Sequence, residues 1–173
     1  MSRLSSLSAT AIKAMLSPDA DDSLAILLTF TGNGITTPIR IADSFTQRLT
    51  GLTTNDEVVH GIVSRSNNYI FIPFRLTLPD EQIASAPRCQ LSVMDVTRYL
   101  TPILRSITSP PSVLIELVMT ASPNTVEVAF SGFQMGAVNY NKDQITAELV
   151  VQSLAAEPFP AHTFTPSYFP GLF

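Results

Sequence analysis

The chain has 173 residues, of which 14% are charged and 45% hydrophobic, with a formal net charge of −4, one cysteine and no tryptophan. This length fits one domain with at most an added arm, enough to bury roughly 70% of its unfolded surface without covalent staples. One cysteine excludes an internal disulfide framework, no apolar run reaches the roughly 18 residues of a membrane helix, and no basic run supplies the Lys/Arg footprint of tight nucleic-acid binding.

The chain opens on an amphipathic helix predicted over Ser8–Leu16, where Ile12, Met15 and Leu16 share a face and Ser17-Pro18 ends it. Its interleaved Ser and Lys residues read as a helix, not a signal peptide. Asp19, Asp21 and Asp22 lack the glycine and distal glutamate of a calcium loop and read as a solvated turn. Ser23–Thr31 is an apolar run of strand length. Gly32-Asn33-Gly34 turns it into a return strand over Thr37–Ser44, with Ile39 and Ile41 on one face. Val58–Ser64 and Tyr69–Leu78 then flank Arg65–Asn68 as a long hairpin, in which Pro73 marks an edge or a bulge.

After a polar loop over Pro79–Arg88, Cys89–Val93 is a short strand with Cys89, Leu91 and Val93 facing one way. Asp95 caps a helix over Val96–Ile107, with an apolar stripe of Val96, Tyr99, Leu100, Ile103, Leu104 and Ile107. Pro102 kinks this helix or restarts it with Thr101 as cap. The last third is β: Val113–Thr120, a turn at Ser122-Pro123-Asn124, Thr125–Ser131, Phe133–Tyr140, and Gln144–Gln152 after Asn141-Lys142-Asp143. Alternation places Val126, Val128, Phe130, Ile145, Ala147, Leu149 and Val151 inside an antiparallel meander, with Glu127 and Glu148 in solvent. The expected fold is mainly β (α+β): an antiparallel β-sandwich or barrel with one packed helix. It divides into an N-terminal helix and turn (1–22), a β domain (23–156) and a C-terminal arm (157–173).

Catalytic chemistry is sparse. The two histidines are His60, inside a strand, and His162, in the arm. Cys89 reads as a small core residue. Asp80-Glu81 is a solvated loop pair, and Arg75, Arg88, Arg98 and Arg105 read as ion-pair or interface residues. No nucleophile elbow, zinc-protease helix, phosphate loop or Cys-x-x-Cys motif occurs. The expectation is a non-enzyme without cofactor or metal.

The arm, EPFPAHTFTPSYFPGLF over Glu157–Phe173, is the most distinctive stretch. Pro158, Pro160, Pro166 and Pro170 forbid a helix and a central strand. Phe159, Phe164 and Phe169 recur every five residues ahead of Leu172-Phe173. Such a stiff apolar strap packs on its own domain or on a neighbouring copy or partner. The predicted interface residues are Phe159, Phe164, Phe169, Leu172 and Phe173, docked on an adjacent subunit. Charge well under the usual ~25% agrees with a surface covered by partners.

FIPFRLTLPDE (Phe71–Glu81), APRCQLSVMDVTRYLTPILRSI (Ala86–Ile107), PPSVLIELVMTASPNTVE (Pro110–Glu127) and the FTP…FPGLF signature (Phe164–Pro166, Phe169–Phe173) occur in that order. Together they resemble a family of tailed-phage proteins from the tail module of siphophage-like viruses, catalogued mainly as a domain of unknown function. The resemblance covers about Ile70–Phe173. It implies a virion structural protein of the tail tip, similar to distal tail proteins: a tail-tube-like β fold forming a sixfold or threefold homo-oligomeric ring between tail tube and baseplate hub. DNA would pass through the lumen without specific binding, there would be no membrane insertion, and the protein would sit at the distal end of the tail after assembly in the host cytoplasm. It implies no catalytic residue. The alternatives are an assembly factor that leaves the particle, and a tail-associated enzyme or carbohydrate-binding module.

Overall fold

The computed structural model describes residues 7–17, 22–50, 58–77, 88–95, 100–142, 144–151 and 171. The strands are β1 (Leu24–Thr31), β2 (Ile39–Ala42), β3 (Gln47–Leu49), β4 (Val59–Ser64), β5 (Asn67–Phe71), β6 (Phe74–Leu76), β7 (Arg88–Met94), β8 (Ser112–Met119), β9 (Ser122–Tyr140) and β10 (Gln144–Val151). They form one ten-stranded sheet in the order β3-β4-β5-β2-β1-β8-β9-β10-β7-β6. The fold is mainly β, as expected. The sheet is mixed rather than wholly antiparallel, because β2 and β5 pair in parallel through Ile41↔Ile70 and Ala42↔Phe71.

Both faces of the sheet centre are buried. On β1, Leu28 and Phe30 point into the larger core while Ala25 and Leu27 point into a smaller one on the opposite face. This is why β1 reads as a continuous apolar run rather than an alternating one. One transverse row of the larger core runs Ile39–Phe30–Val113–Phe133–Val151, from β2 across to β10. Five spacings of ~4.8 Å would separate β2 from β7 in a flat sheet, about 24 Å. Yet Ile39 of β2 and Leu91 and Val93 of β7 line one apolar cavity of only ≈ 10 Å³. The sheet is therefore rolled, and its two halves close on each other.

The smaller core (Ala25, Leu27, Ala42, Ile62, Tyr69, Val118) lies beneath the β4–β5 hairpin. That hairpin turns in two residues, Arg65 and Ser66, both with positive φ (49° and 62°), the geometry that matches strand twist. The expected four-residue loop is thus shorter. The expected second arm is also broken: the chain leaves the ladder at Ile72-Pro73 and resumes as β6 at the far edge of the sheet, beside β7. Proline cannot donate to a ladder, and here it marks the crossing.

The β8-β9-β10 meander is antiparallel as expected. Its first turn is at Thr120–Ala121, not at 122–124, and β9 runs unbroken through Gly132, whose φ is +84°. Between Leu117↔Val128 and Val118↔Val126 the register shifts by one, leaving Glu127 as the extra residue of a bulge. A bulge exchanges faces, so Val128 packs on the larger core and Val126 on the smaller. Glu127, expected in solvent, is 8% exposed. Its carboxylate accepts the backbone N–H and the hydroxyl of Ser8, at 2.8 Å each.

Ser8 also caps α1 (Ala9–Leu16) by accepting the Ala11 N–H. The expected apolar face is corrected: Ala11 is the buried residue, while Met15 and Leu16 are exposed. The second helix, α2, spans Leu100–Ser106; the Val96–Tyr99 part of the expected helix lies outside the described residues. Its described part covers seven residues, and Ile107 lies past its end. Asp95 accepts the N–H groups of Leu100 and Thr101 and the Thr101 hydroxyl. Pro102 sits in the first turn, where its missing N–H costs nothing.

Leu100 is 2% exposed and Leu104 is half-buried. Leu100→Ala is expected to cost about 3 kcal/mol and Leu104→Ala clearly less. Urea denaturation of the two variants checks the order.

Candidate functional site

Phe159, Phe164, Phe169, Leu172 and Phe173 lie outside the described residues, as do His162, Asp80, Glu81 and Arg98. What the structure places is the surface of the β domain. His60 is exposed on β4, its ring 5.3 Å from Phe45, and Phe45 meets Phe71 edge-on at 5.0 Å. Phe45 remains 55% exposed, so a small aromatic patch stands beside edge strand β3. At the other edge, Met94 is exposed next to β6, and the Met94 N–H donates to the Pro73 carbonyl. Among the described residues, β3 and β6 each have one strand neighbour and one open edge.

The arginines divide by role. Arg88 pairs with Glu148 at 3.1 Å, and the Arg105 guanidinium lies 5.4 Å from the centre of the Tyr140 ring. Arg75 is exposed on β6. Sequence reasoning missed Arg65, which sits in a turn. Its guanidinium grips Glu116 with two bonds, Nη1–Oε1 at 2.9 Å and Nη2–Oε2 at 2.5 Å. This fork raises the Arg65 pKa, overcoming its partial desolvation. Beside it the Ser64 hydroxyl donates to the Pro123 carbonyl, and the Arg65 N–H donates to Asn124. The hairpin tip is thus pinned to β8 and to the irregular start of β9.

Asp22, expected to be merely solvated, staples the β8–β9 turn. It accepts the Thr120 hydroxyl at 2.5 Å and the N–H groups of Ala121 and Ser23 at 2.9 Å. The Thr120 hydroxyl bond, helped by those amides and opposed by slight burial, lowers the Asp22 pKa below 3.8. A depressed carboxylate pKa gives stability that is present above the unfolded value and lost as pH falls through the folded one. Asp22→Asn is therefore expected to flatten the loss of stability below about pH 4, read from thermal melts across an acid series.

Cys89 is 1% exposed, and burial raises its thiol pKa to about 11. A thiol so buried and protonated is a poor nucleophile. It is expected to react with a disulfide reagent at pH 8 only as fast as the protein unfolds; modification within seconds under native conditions contradicts this.

A groove of ≈ 520 Å³ lies between the loop leading into β2 and the start of β5, with Ile35, Arg40, Asn68 and Ile103 among its walls. Among the described residues no group of three or more His, Cys, Asp or Glu side chains is placed to hold a metal, and no helix is long and apolar enough to cross a membrane. Among the described residues the arrangement offers surfaces for contact: two open sheet edges, an aromatic patch, this groove and two shallower ones of ≈ 350 and ≈ 340 Å³ along β7. No protein-family model matches the chain, and no curated protein matches it significantly.

Proposed function

We propose that this chain is a structural protein of a tailed-phage tail tip, a ring-forming adaptor between tail tube and baseplate hub. The observation that carries the reading is the open sheet, with one free edge among the described residues at β3 beside Phe45 and another at β6 beside Met94. Two different free edges on one subunit suit a head-to-tail contact, the kind that closes a ring when the rotation permits. Support also comes from the sequence resemblance over Ile70–Phe173 and from a charged fraction of only 14%. Phe169, Leu172 and Phe173 extend the contact as anchors on the next subunit.

The test is mass spectrometry of purified virions followed by a density map of the tail tip. The expected result is the protein in the particle, in one ring at the end of the tube. Absence from purified virions overturns the structural role in favour of an assembly factor.

A further inference from the structure

Helix α1 has eight residues, fewer than the roughly 12–15 at which an isolated helix is even marginal in water. Its order therefore comes from what it touches. Ala11 is its buried residue, Ile12 and Ala14 are half-buried, and Met15 and Leu16 at its far end are exposed. The fully buried apolar anchor of α1 is thus a single methyl group. The polar anchor is more specific. In a capping box the N-cap hydroxyl accepts the N3 N–H, and a Glu or Gln at N3 reaches back to accept the N-cap N–H. Ser8 makes the first bond, accepting the Ala11 N–H at 3.1 Å. Ala11 stands at N3 and has no group with which to make the second. Glu127 makes it instead, from 119 positions away: Oε2 accepts the Ser8 N–H and Oε1 the Ser8 hydroxyl, each at 2.8 Å. The box is completed across the fold. The register shift in β9 supplies the aim, since Glu127 is the extra residue of the bulge and bulges redirect side chains. The carboxylate also meets the positive end of the helix dipole, with Lys13 in the last turn at the negative end.

We infer that α1 is a latched arm: it opens as its own unit while the sheet stays folded, and Glu127 is the catch that holds it shut. Two features bring the closed and open forms near balance. Glu127 is 8% exposed when α1 is docked, and a carboxylate regains its water on opening, which offsets the loss of its two bonds. The released segment is also too short to stay helical, so opening recovers its backbone entropy. Opening bares the Glu127 carboxylate and the seat of Ala11. The surface beneath α1 is therefore conditional, present in one state of the chain and covered in the other. The bulge is what makes the device specific to this position, because regular pairing at 127 leaves no extra residue to aim at Ser8. The latch does not depend on any role in a virion.

Hydrogen exchange on the full chain tests it. The Ile12 amide, which donates to the Ser8 carbonyl at 3.0 Å, reports on the arm, and the Leu28 amide of β1 reports on the sheet. In the native chain Ile12 is expected to be protected, yet to exchange about a hundredfold or more faster than Leu28, through an opening that leaves the sheet intact. Glu127→Ala is expected to speed Ile12 exchange about tenfold or more and to leave Leu28 unchanged. Glu127→Gln, whose amide oxygen accepts a bond without the charge, is expected to fall between. Ile12 exchange at the Leu28 rate makes α1 part of the global fold and overturns the inference. An Ile12 rate that Glu127→Ala leaves unchanged, or a change shared equally by Leu28, overturns it as well. Ser8→Ala gives an independent arm, because it removes the hydroxyl without touching β9. Trypsin cleavage after Lys13 requires the helix to open, so the fragment 14–173 is expected about tenfold sooner from Ser8→Ala than from the native chain. Equal rates from the two chains count against the latch.

Discussion

Gly61→Ala is expected to be among the most damaging single substitutions in the chain, costing about 3 kcal/mol or more. Gly61 lies in β4 opposite Ile70 of β5 and Gln47 of β3. A Cβ placed there overlaps the Tyr69 carbonyl oxygen and comes within 2.7 Å of Leu49 Cδ1. The Leu49 side chain can rotate away. The Tyr69 carbonyl is backbone in the other arm of the hairpin and cannot move without opening the β4–β5 ladder. Opening it uncovers Ile62 and Tyr69, and with them the smaller core. Gly132→Ala is the control. Gly132 has φ +84°, but a Cβ at that position would meet nothing within 4 Å, so its cost is left-handed strain alone, about 1–2 kcal/mol. Chemical denaturation of both variants should show the larger loss at Gly61. Equal losses would mean that the hairpin yields where the close contact says it cannot.

The contrast between these glycines shows what the sequence makes legible. Cys89, Leu91 and Val93 alternate, and so do Ile145, Ala147 and Leu149; all six are buried as their period demands. Period fails where a bulge adds a residue. Val126, Glu127 and Val128 look like clean alternation, and only the partner strand reveals that Glu127 is extra. Pro73 announces a break, but not that the chain then crosses from β5 to the opposite edge of the sheet. The three residues of β3 are too few to show a period. Arg65-Ser66 lacks the glycine or asparagine that normally marks a two-residue turn. The groove arises because two strands distant in sequence diverge, and neither strand encodes that by itself. The same holds for Glu116. In β8 it resembles any charged interruption of an apolar run, and its partner is 51 positions away.

That partner sets the second large effect. Arg65→Ala is expected to cost about 2–3 kcal/mol. Glu116 has a side chain only 6% exposed, between Leu27 opposite it on β1 and Ala129 opposite it on β9. Without the guanidinium, its remaining side-chain hydrogen-bond partner among the described residues is the Tyr69 hydroxyl at 3.5 Å, a marginal bond. A buried carboxylate stripped of its partner costs about 3–5 kcal/mol, and the Arg65 side chain, 41% exposed, argues for the lower end because solvent already screens it. The ion pair need not itself be strongly stabilising. Replacing both ends by apolar residues removes the stranded charge, so Arg65→Met with Glu116→Leu is expected to recover most of what either change loses alone. Alanine at position 65 keeps a Cβ at φ 49°, so the turn strain is common to the native chain and the variant and cancels. A double-mutant cycle in urea reads the coupling. A coupling near 2 kcal/mol makes the fork the pin that holds the hairpin over the smaller core. A loss for Arg65→Ala of about 0.5 kcal/mol, the scale of an exposed pair, would leave that role to Ile62, Tyr69 and the Ser64–Pro123 bond.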